Sequence, residues 1–249
     1  MGLTQLHDVV YVVCDLSSTI SRFSITTHER LTDIIIRDLK SPTDIAACER
    51  TSQLYVADRG KYIWQVSWDG RDIRHWRPWS DTGSDTTLSV TASQVLVTSY
   101  ASKWLRLCSA DGDVLMFVQL PEYIQPIHSV QSPAGTFIVS HGNTQLKWCR
   151  VSEVNAKGQI LRQFPGSHLP PFSVGRHIAI DSQGNIFVAD HDNRRILRLD
   201  GQLALRHVII DERQLKNKKP HHLCYSEQSG QLLVGFYHRN SVAVFNVLH

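Results

Sequence analysis

The sequence predicts an all-β fold, a six-bladed β-propeller of four-stranded antiparallel blades, and three observations predict it. The first is a repeat. A short apolar segment centred on valine recurs as VYVVC, LYVAD, VLVTS, FIVSH, IFVAD and LLVGF. Its central residues Val12, Val56, Val97, Val139, Val188 and Val234 stand 44, 41, 42, 49 and 46 residues apart. At that period a unit is too small to bury its own apolar face and must stack on its neighbours. The second observation is strand grammar within each unit, and the third is that no amphipathic helical segment of useful length interrupts it.

The elements follow in order from one well-written unit, HIAIDSQGNIFVADHDNRRILRLDGQL at 177–203. HIAID and NIFVAD are short, β-branched runs separated by the turn DSQG, and RILRLD alternates apolar with basic residues as a half-exposed strand does. Asp69-Gly70, Asp111-Gly112 and Asp200-Gly201 put Asp-Gly where a tight hairpin needs positive φ, and Lys157-Gly158 takes that place in the fourth unit. Each unit is therefore a four-stranded meander, and six of them close into a propeller. The chain opens on an inner strand, GLTQL, and its last strand, SVAVFNVLH, is the third of its blade. The expectation is either a three-stranded last blade, with Val242, Val244 and Phe245 on or beside an open edge, or a fragment whose closing strand lies upstream.

Bulk properties bound the rest. A chain of 249 residues, 42% hydrophobic and 20% charged, has the composition of a globular protein and is read as a single domain, 1–249. A formal charge of +3 points to no partner until its placement is known. The five cysteines, Cys14, Cys48, Cys108, Cys149 and Cys224, are scattered and never in C-x-x-C, which suits reduced thiols and a cytoplasmic location. MGLTQLHDVVYVV lacks a basic n-region and is broken at His7-Asp8, so it reads as a strand and not as a leader or a membrane span. No nucleophile elbow, P-loop or dinucleotide fingerprint occurs, so no nucleotide or dinucleotide cofactor is expected.

The fifth unit resembles an NHL repeat, with its G-x-[IL]-[YF]-V-[AT]-D strand, an N-R loop and a following D-x-x-G-like turn. DIAACERTSQLYVADRGKYIWQVSWDG in the second blade matches nearly as well, and the other four match in outline. A single Trp-Asp at 68–69 and the absence of kelch glycine pairs argue against the WD40 and kelch alternatives. The resemblance extends to the C-terminal domains of tripartite-motif (TRIM) NHL proteins, in which a RING ubiquitin ligase and a coiled coil precede a propeller that selects protein or RNA. It implies a recognition module, with any ligase activity outside these residues, which hold no Cys-His zinc spacing.

In this topology the b–c loops (second to third strand) share a face with the connections between blades. Arg59, Lys61, Lys103, Arg194, Arg195 and Arg239 fall there with Tyr62, Tyr100, Trp104, His191 and Tyr237. The opposite face carries Asp8, Glu29, Glu49, Asp69, Asp111, Asp181, Asp200 and Glu227, partly offset by Arg30, Arg50, Arg71 and Lys157. Basic residues among aromatics suit single-stranded RNA, by phosphate contact and base stacking, and equally a protein or peptide partner. The repeated Asp58 and Asp190 are expected to tie down the b–c loops through backbone amides.

Aligning the starts of the inner strands gives Leu3, Asp44, Leu88, His128, His177 and His222, one per blade. Imidazole and carboxylate are zinc and iron ligands, and Asp44, His128 and His222 fall on alternate blades. The pattern is similar to that of the peptidylglycine amidating lyase, whose zinc histidines begin inner strands. One position here is Asp, Pro-His occurs only at 220–221, and no counterpart of that enzyme's catalytic Tyr and Arg is identified. The expectation is a non-enzymatic recognition module with no cofactor and no metal at these positions. The alternative is a metal-dependent lyase or hydrolase.

Overall fold

The computed structural model describes residues 1–59, 62–77, 86–91, 93–100, 103–143, 148–165, 175–236 and 239–247. Among them there is no helix, hence none long and apolar enough to cross a membrane. The fold is an all-β six-bladed propeller with five blades of four antiparallel strands and a last blade of three.

The chain divides into two compact units, Met1–Phe117 and Val118–His249. The first blade comprises β1 (Gly2–Leu6), β2 (Val9–Val13), β3 (Thr19–Ser24) and β4 (Arg30–Ile35). The second comprises β5 (Pro42–Cys48), β6 (Gln53–Asp58), β7 (Tyr62–Ser67) and β8 (Ile73–Trp76). The third comprises β9 (Thr86–Thr91), β10 (Gln94–Ser99), β11 (Trp104–Cys108) and β12 (Val114–Gln119).

The fourth blade comprises β13 (Pro126–Gln131), β14 (Phe137–Asn143), β15 (Trp148–Val154) and β16 (Ile160–Phe164). The fifth comprises β17 (Gly175–Ile180), β18 (Ile186–Asp190), β19 (Arg195–Leu199) and β20 (Leu205–Ile210). The sixth comprises β21 (Pro220–Ser226), β22 (Gln231–Phe236) and β23 (Arg239–Asn246), and β23 forms the outer edge, as the sequence implies.

The six repeat valines all lie on second strands and are all buried. Because a strand shows alternate residues to opposite faces, neighbouring blades within each unit pack side chains against one another. Tyr11, Val13, Ile20, Leu54, Val56 and Val66 fill the space between the first two blades. Tyr55, Ala57 and Ile63, on the other face of the second blade, meet Val95, Val97 and Cys108 of the third. In the second unit Val151, Ile178, Val188 and Leu197 form one layer, and Phe187, Ile196, Leu232, Val234 and Phe236 the next. Burying a large apolar side chain contributes roughly 1.5–3 kcal/mol, so these layers are what hold each meander in place.

The turns follow their sequences with one exception. Gly70, Gly112 and Gly158 have φ of 77°, 94° and 78°. A Cβ on Gly112 would sit 2.6 Å from the Trp76 ring, so this turn needs glycine for space as well as conformation. At Asp200-Gly201 the left-handed residue is instead Leu203, at φ 58°. There the Asp200 carboxylate accepts the Gln202 and Ala204 amides at 2.8 and 2.9 Å, and these bonds set the turn. None of the five cysteines forms a disulfide, and burial pushes the Cys108 thiol up to about 12.

Candidate functional site

The inner strands require a correction to the alignment made from sequence. Leu3 and Leu88 lie opposite the repeat valines Val12 and Val97. Asp44, His128 and His222 instead pair one residue further along, with Ala57, Ser140 and Gly235. A register shift precedes each, between Pro42 and Asp44, Pro126 and His128, and Pro220 and His222, and one between Gly175 and Ile178 brackets His177. The equivalents in the first and third blades are therefore Gly2 and Thr87, which pair with Val13 and Thr98. A bulge adds one residue on a single strand, and period-two alternation carries no mark of it.

In the first unit this level is built around Asp44. Its buried carboxylate accepts the Ile45 amide and, from the next blade, the Leu88 amide, each at 2.8 Å. Gly2 is required beside it, since a Cβ there would come within 2.9 Å of the Asp44 Cα and Ile45 N. In the second unit the same level is a column of imidazoles. The rings of His128 and His177 lie 3.5 Å apart with a 32° tilt, and those of His177 and His222 lie 3.6 Å apart with a 34° tilt. All three are buried.

The Leu223 amide donates to His177 Nδ1 at 3.4 Å, a role only an unprotonated Nδ1 can accept. Burial, then electrostatic repulsion from the neighbouring His128, His222 and His221, holds the His177 pKa well below that of an ordinary histidine. An ion bound by two imidazoles lies near the plane of both. Rings stacked face to face at this small tilt meet that condition only after turning.

The b–c loops and blade connections do share a face within each unit. Asp58, at the end of β6, accepts the Ser41 amide at 2.8 Å and the Lys40 amide at 3.4 Å, so among the described residues it ties the connection into its blade. Asp190 holds its own b–c loop, and side chains of that loop take part. It accepts Asn193 Nδ2 at 2.9 Å and Arg195 Nε at 2.7 Å.

Three of the six basic residues predicted for this face, Arg59, Arg194 and Arg195, are ion-paired. Arg59 meets Asp15 of the first blade at 3.4 Å, both half-exposed. A hydrogen bond from Ser41 Oγ, with Arg59 adding charge, holds the Asp15 carboxyl below the usual range. Arg194 meets Glu212 at 2.6 Å, and Arg195 meets the fully buried Asp190. Lys219, on the connection into the sixth blade, and the buried His191 both meet Asp192, at 2.8 and 3.0 Å. Partial burial raises the Asp192 pKa, and the bonds from Lys219 and His191 outweigh it and hold the carboxyl low.

Tyr62 packs edge-on to His75 at 4.6 Å, and Trp104 edge-on to Phe117 at 6.1 Å. Tyr100 is half-buried and Lys103 exposed. Lys61 and Tyr237 lie outside the described residues, and Arg239 is placed only as the first residue of β23. Sequence reading missed the acidic partners Asp15, Asp192 and Glu212. The signal was available for Asp15, which stands 44 residues before Arg59, one repeat period away.

No family model matches the chain, and no curated protein does. Among solved structures, a Bacteroides caccae protein of unknown function is similar with a TM-score of 0.73 at 14% identity, covering 95% of this chain and 89% of that one. Virginiamycin B lyase from Staphylococcus aureus gives 0.69 at 14% identity, over 94% and 76%. A chain in the crystal structure of a nidogen/laminin complex gives 0.68 at 17% identity, over 90% and 83%. At these identities the likeness is one of fold. That fold hosts both an enzyme and a component of a protein complex, so function rests on the chain's own residues.

Proposed function

We propose that the chain, as one propeller module spanning 1–249, is a non-enzymatic scaffold that binds a protein partner through its b–c loops and blade connections. One observation carries this reading: four of the cations there come with carboxylates, Arg59 with Asp15, Arg194 with Glu212, Arg195 with Asp190 and Lys219 with Asp192. A groove for a polyanion needs uncompensated positive charge. A mixed-charge surface with arginine and half-buried Tyr62, Tyr100 and Trp104 has instead the composition of a protein hot spot. Membership of the NHL repeat class, a role beside a ubiquitin ligase and a reducing, cytoplasmic setting belong to the same reading.

The test is equilibrium binding of the full chain to a random single-stranded RNA pool over a range of salt, beside retention of proteins from a cell lysate. The reading expects RNA binding to be weak, and a discrete set of proteins to be retained at physiological salt. A metal-dependent lyase or hydrolase is the second reading, favoured by the three buried histidines. Stoichiometric zinc or iron in the purified protein, lost when His128 and His222 are replaced by alanine, would put it first.

A further inference from the structure

The outer edge of the third blade differs from the other four-stranded blades. On each of those the last strand carries an arginine held in an ion pair: Arg30 with Asp33 on β4, Arg74 with Asp72 on β8, Arg162 with Glu153 on β16 and Arg206 with Asp200 on β20. Charges on an edge strand discourage another chain from pairing with it. β12 reads VLMFVQ and has none, and the uncharged run extends from Val114 to Pro121, between Asp113 and Glu122. Leu115, Met116 and Phe117 are three consecutive large apolar residues at 52%, 36% and 49% exposure. The Phe117 ring is held in place, edge-on to Trp104 and 5.1 Å below the Arg106 guanidinium.

We propose that the β12 edge is a docking site for an extended segment of a partner protein, which adds a fifth strand to the third blade. Its occupant has apolar side chains at alternate positions and a basic residue at each end. Two features argue against a second copy of this chain. Antiparallel pairing of two β12 edges brings Asp113 of each copy toward Glu122 of the other, and parallel pairing sets like against like, so acid meets acid either way. A six-residue edge with three exposed large side chains also falls well short of the roughly 20–30 residues a side that a stable interface uses. A flexible segment escapes the second limit, because it pairs with the edge and also lays side chains over Phe117. Main-chain bonds would give affinity, and the flanking acids the preference for basic ends. The site meets the b–c loop surface at Trp104, on which Phe117 packs, and is separate from the Arg59 loop of the second blade.

The test is fluorescence anisotropy on the full chain with two labelled peptides that share a Val-Thr-Val-Thr-Val core, one ended by lysines and the other by glutamates. The lysine-ended peptide is expected to bind saturably, and its twin about tenfold more weakly or less. The double change Leu115→Lys and Phe117→Lys is expected to cost about tenfold or more, with the circular dichroism spectrum unchanged. Leu161→Lys, on the outer strand of the fourth blade, and Arg59→Glu, on the b–c loop surface, should each leave binding within about twofold. Absence of binding by either peptide, or equal binding by the β12 variant, would overturn the proposal. So would concentration-dependent dimerisation that the β12 variant abolishes, since the occupant would then be a second copy. Loss on Arg59→Glu alone would move the site to the loops.

Discussion

The inner strands of the two units carry different chemistry on the same backbone position. In the first unit Gly2, Asp44 and Thr87 occupy it, and the work falls to one carboxylate that takes two amides, one from the next blade. In the second, His128, His177 and His222 occupy it and stack. A propeller constrains the shape of this level and leaves its side chains open. The difference is that Asp44 acts by accepting hydrogen bonds, whereas His177, in the middle of the histidine column, is held by burial well below the range of an ordinary histidine. The first unit's inner level is therefore a structural clamp, and the second's is an acid-sensitive one.

The largest effect should come from breaking the clamp. Asp44→Ala removes two buried charge-assisted bonds and should lower unfolding free energy by about 3 kcal/mol. Urea denaturation measures it, and a loss below about 1 kcal/mol would mean that Asp44 does not join the second and third blades. Next is the buried carboxylate of the fifth blade. Arg195→Ala leaves Asp190 with the Asn193 amide in place of the guanidinium, for a loss of about 2 kcal/mol after allowance for the partial exposure of Arg195. The more exposed pair Arg194–Glu212 should give less than about 0.5 kcal/mol when Arg194 is replaced by alanine, so equal losses at the two positions would refute this account of Asp190.

Acid sharpens the comparison between the units. The folded-state pKa of His177 lies below its unfolded value, and that of His141 falls to about 4, driven by burial and then by Arg150. The folded state thus binds fewer protons. Its stability is complete above the unfolded histidine pKa of about 6.5 and declines as pH falls from there toward the folded values. The slope is at most about 1.4 kcal/mol per pH unit for each such histidine. His177→Phe, which keeps a ring and cannot titrate, should flatten the decline between pH 6.5 and 5. An unchanged slope would show that the column is not what responds. The smallest effect is expected at Arg59→Ala, whose half-exposed pair with Asp15 should contribute within about 0.5 kcal/mol.

Much of the fold was legible because it rests on local pattern. The valine period marks every second strand, glycines at 70, 112 and 158 mark turns by their φ, and a terminal third strand marks the short last blade. What alternation could not show was register. Strand starts put Leu3 and Leu88 level with Asp44, His128 and His222, whereas pairing puts Gly2 and Thr87 there. The bulge just before each of Asp44, His128 and His222 is marked only by a proline two residues earlier, at 42, 126 and 220. Proline cannot donate to the ladder, so it belongs at a strand's first residue or at a bulge. The loop cations were legible as charges, but their neutralisation was not, because each partner comes from another loop or blade. Asp15 lies 44 residues from Arg59, Glu212 18 residues from Arg194 and Asp192 27 residues from Lys219. The exposure of β12 was hidden for a similar reason, since an apolar run does not say on its own whether it faces a core or water.

The central claim is that the ion-paired, aromatic b–c loops recognise protein. The most direct measurement is retention of lysate proteins by the immobilised full chain, wild type against the double variant Arg59→Glu and Arg194→Glu, with urea denaturation of both in parallel. Arg195 is left in place because its loss would unsettle Asp190. The account predicts that discrete proteins held by the wild type are lost from the variant while unfolding free energy stays within about 1 kcal/mol. Identical retention by both, or strong RNA binding by the wild type that disappears steeply with salt, would contradict it.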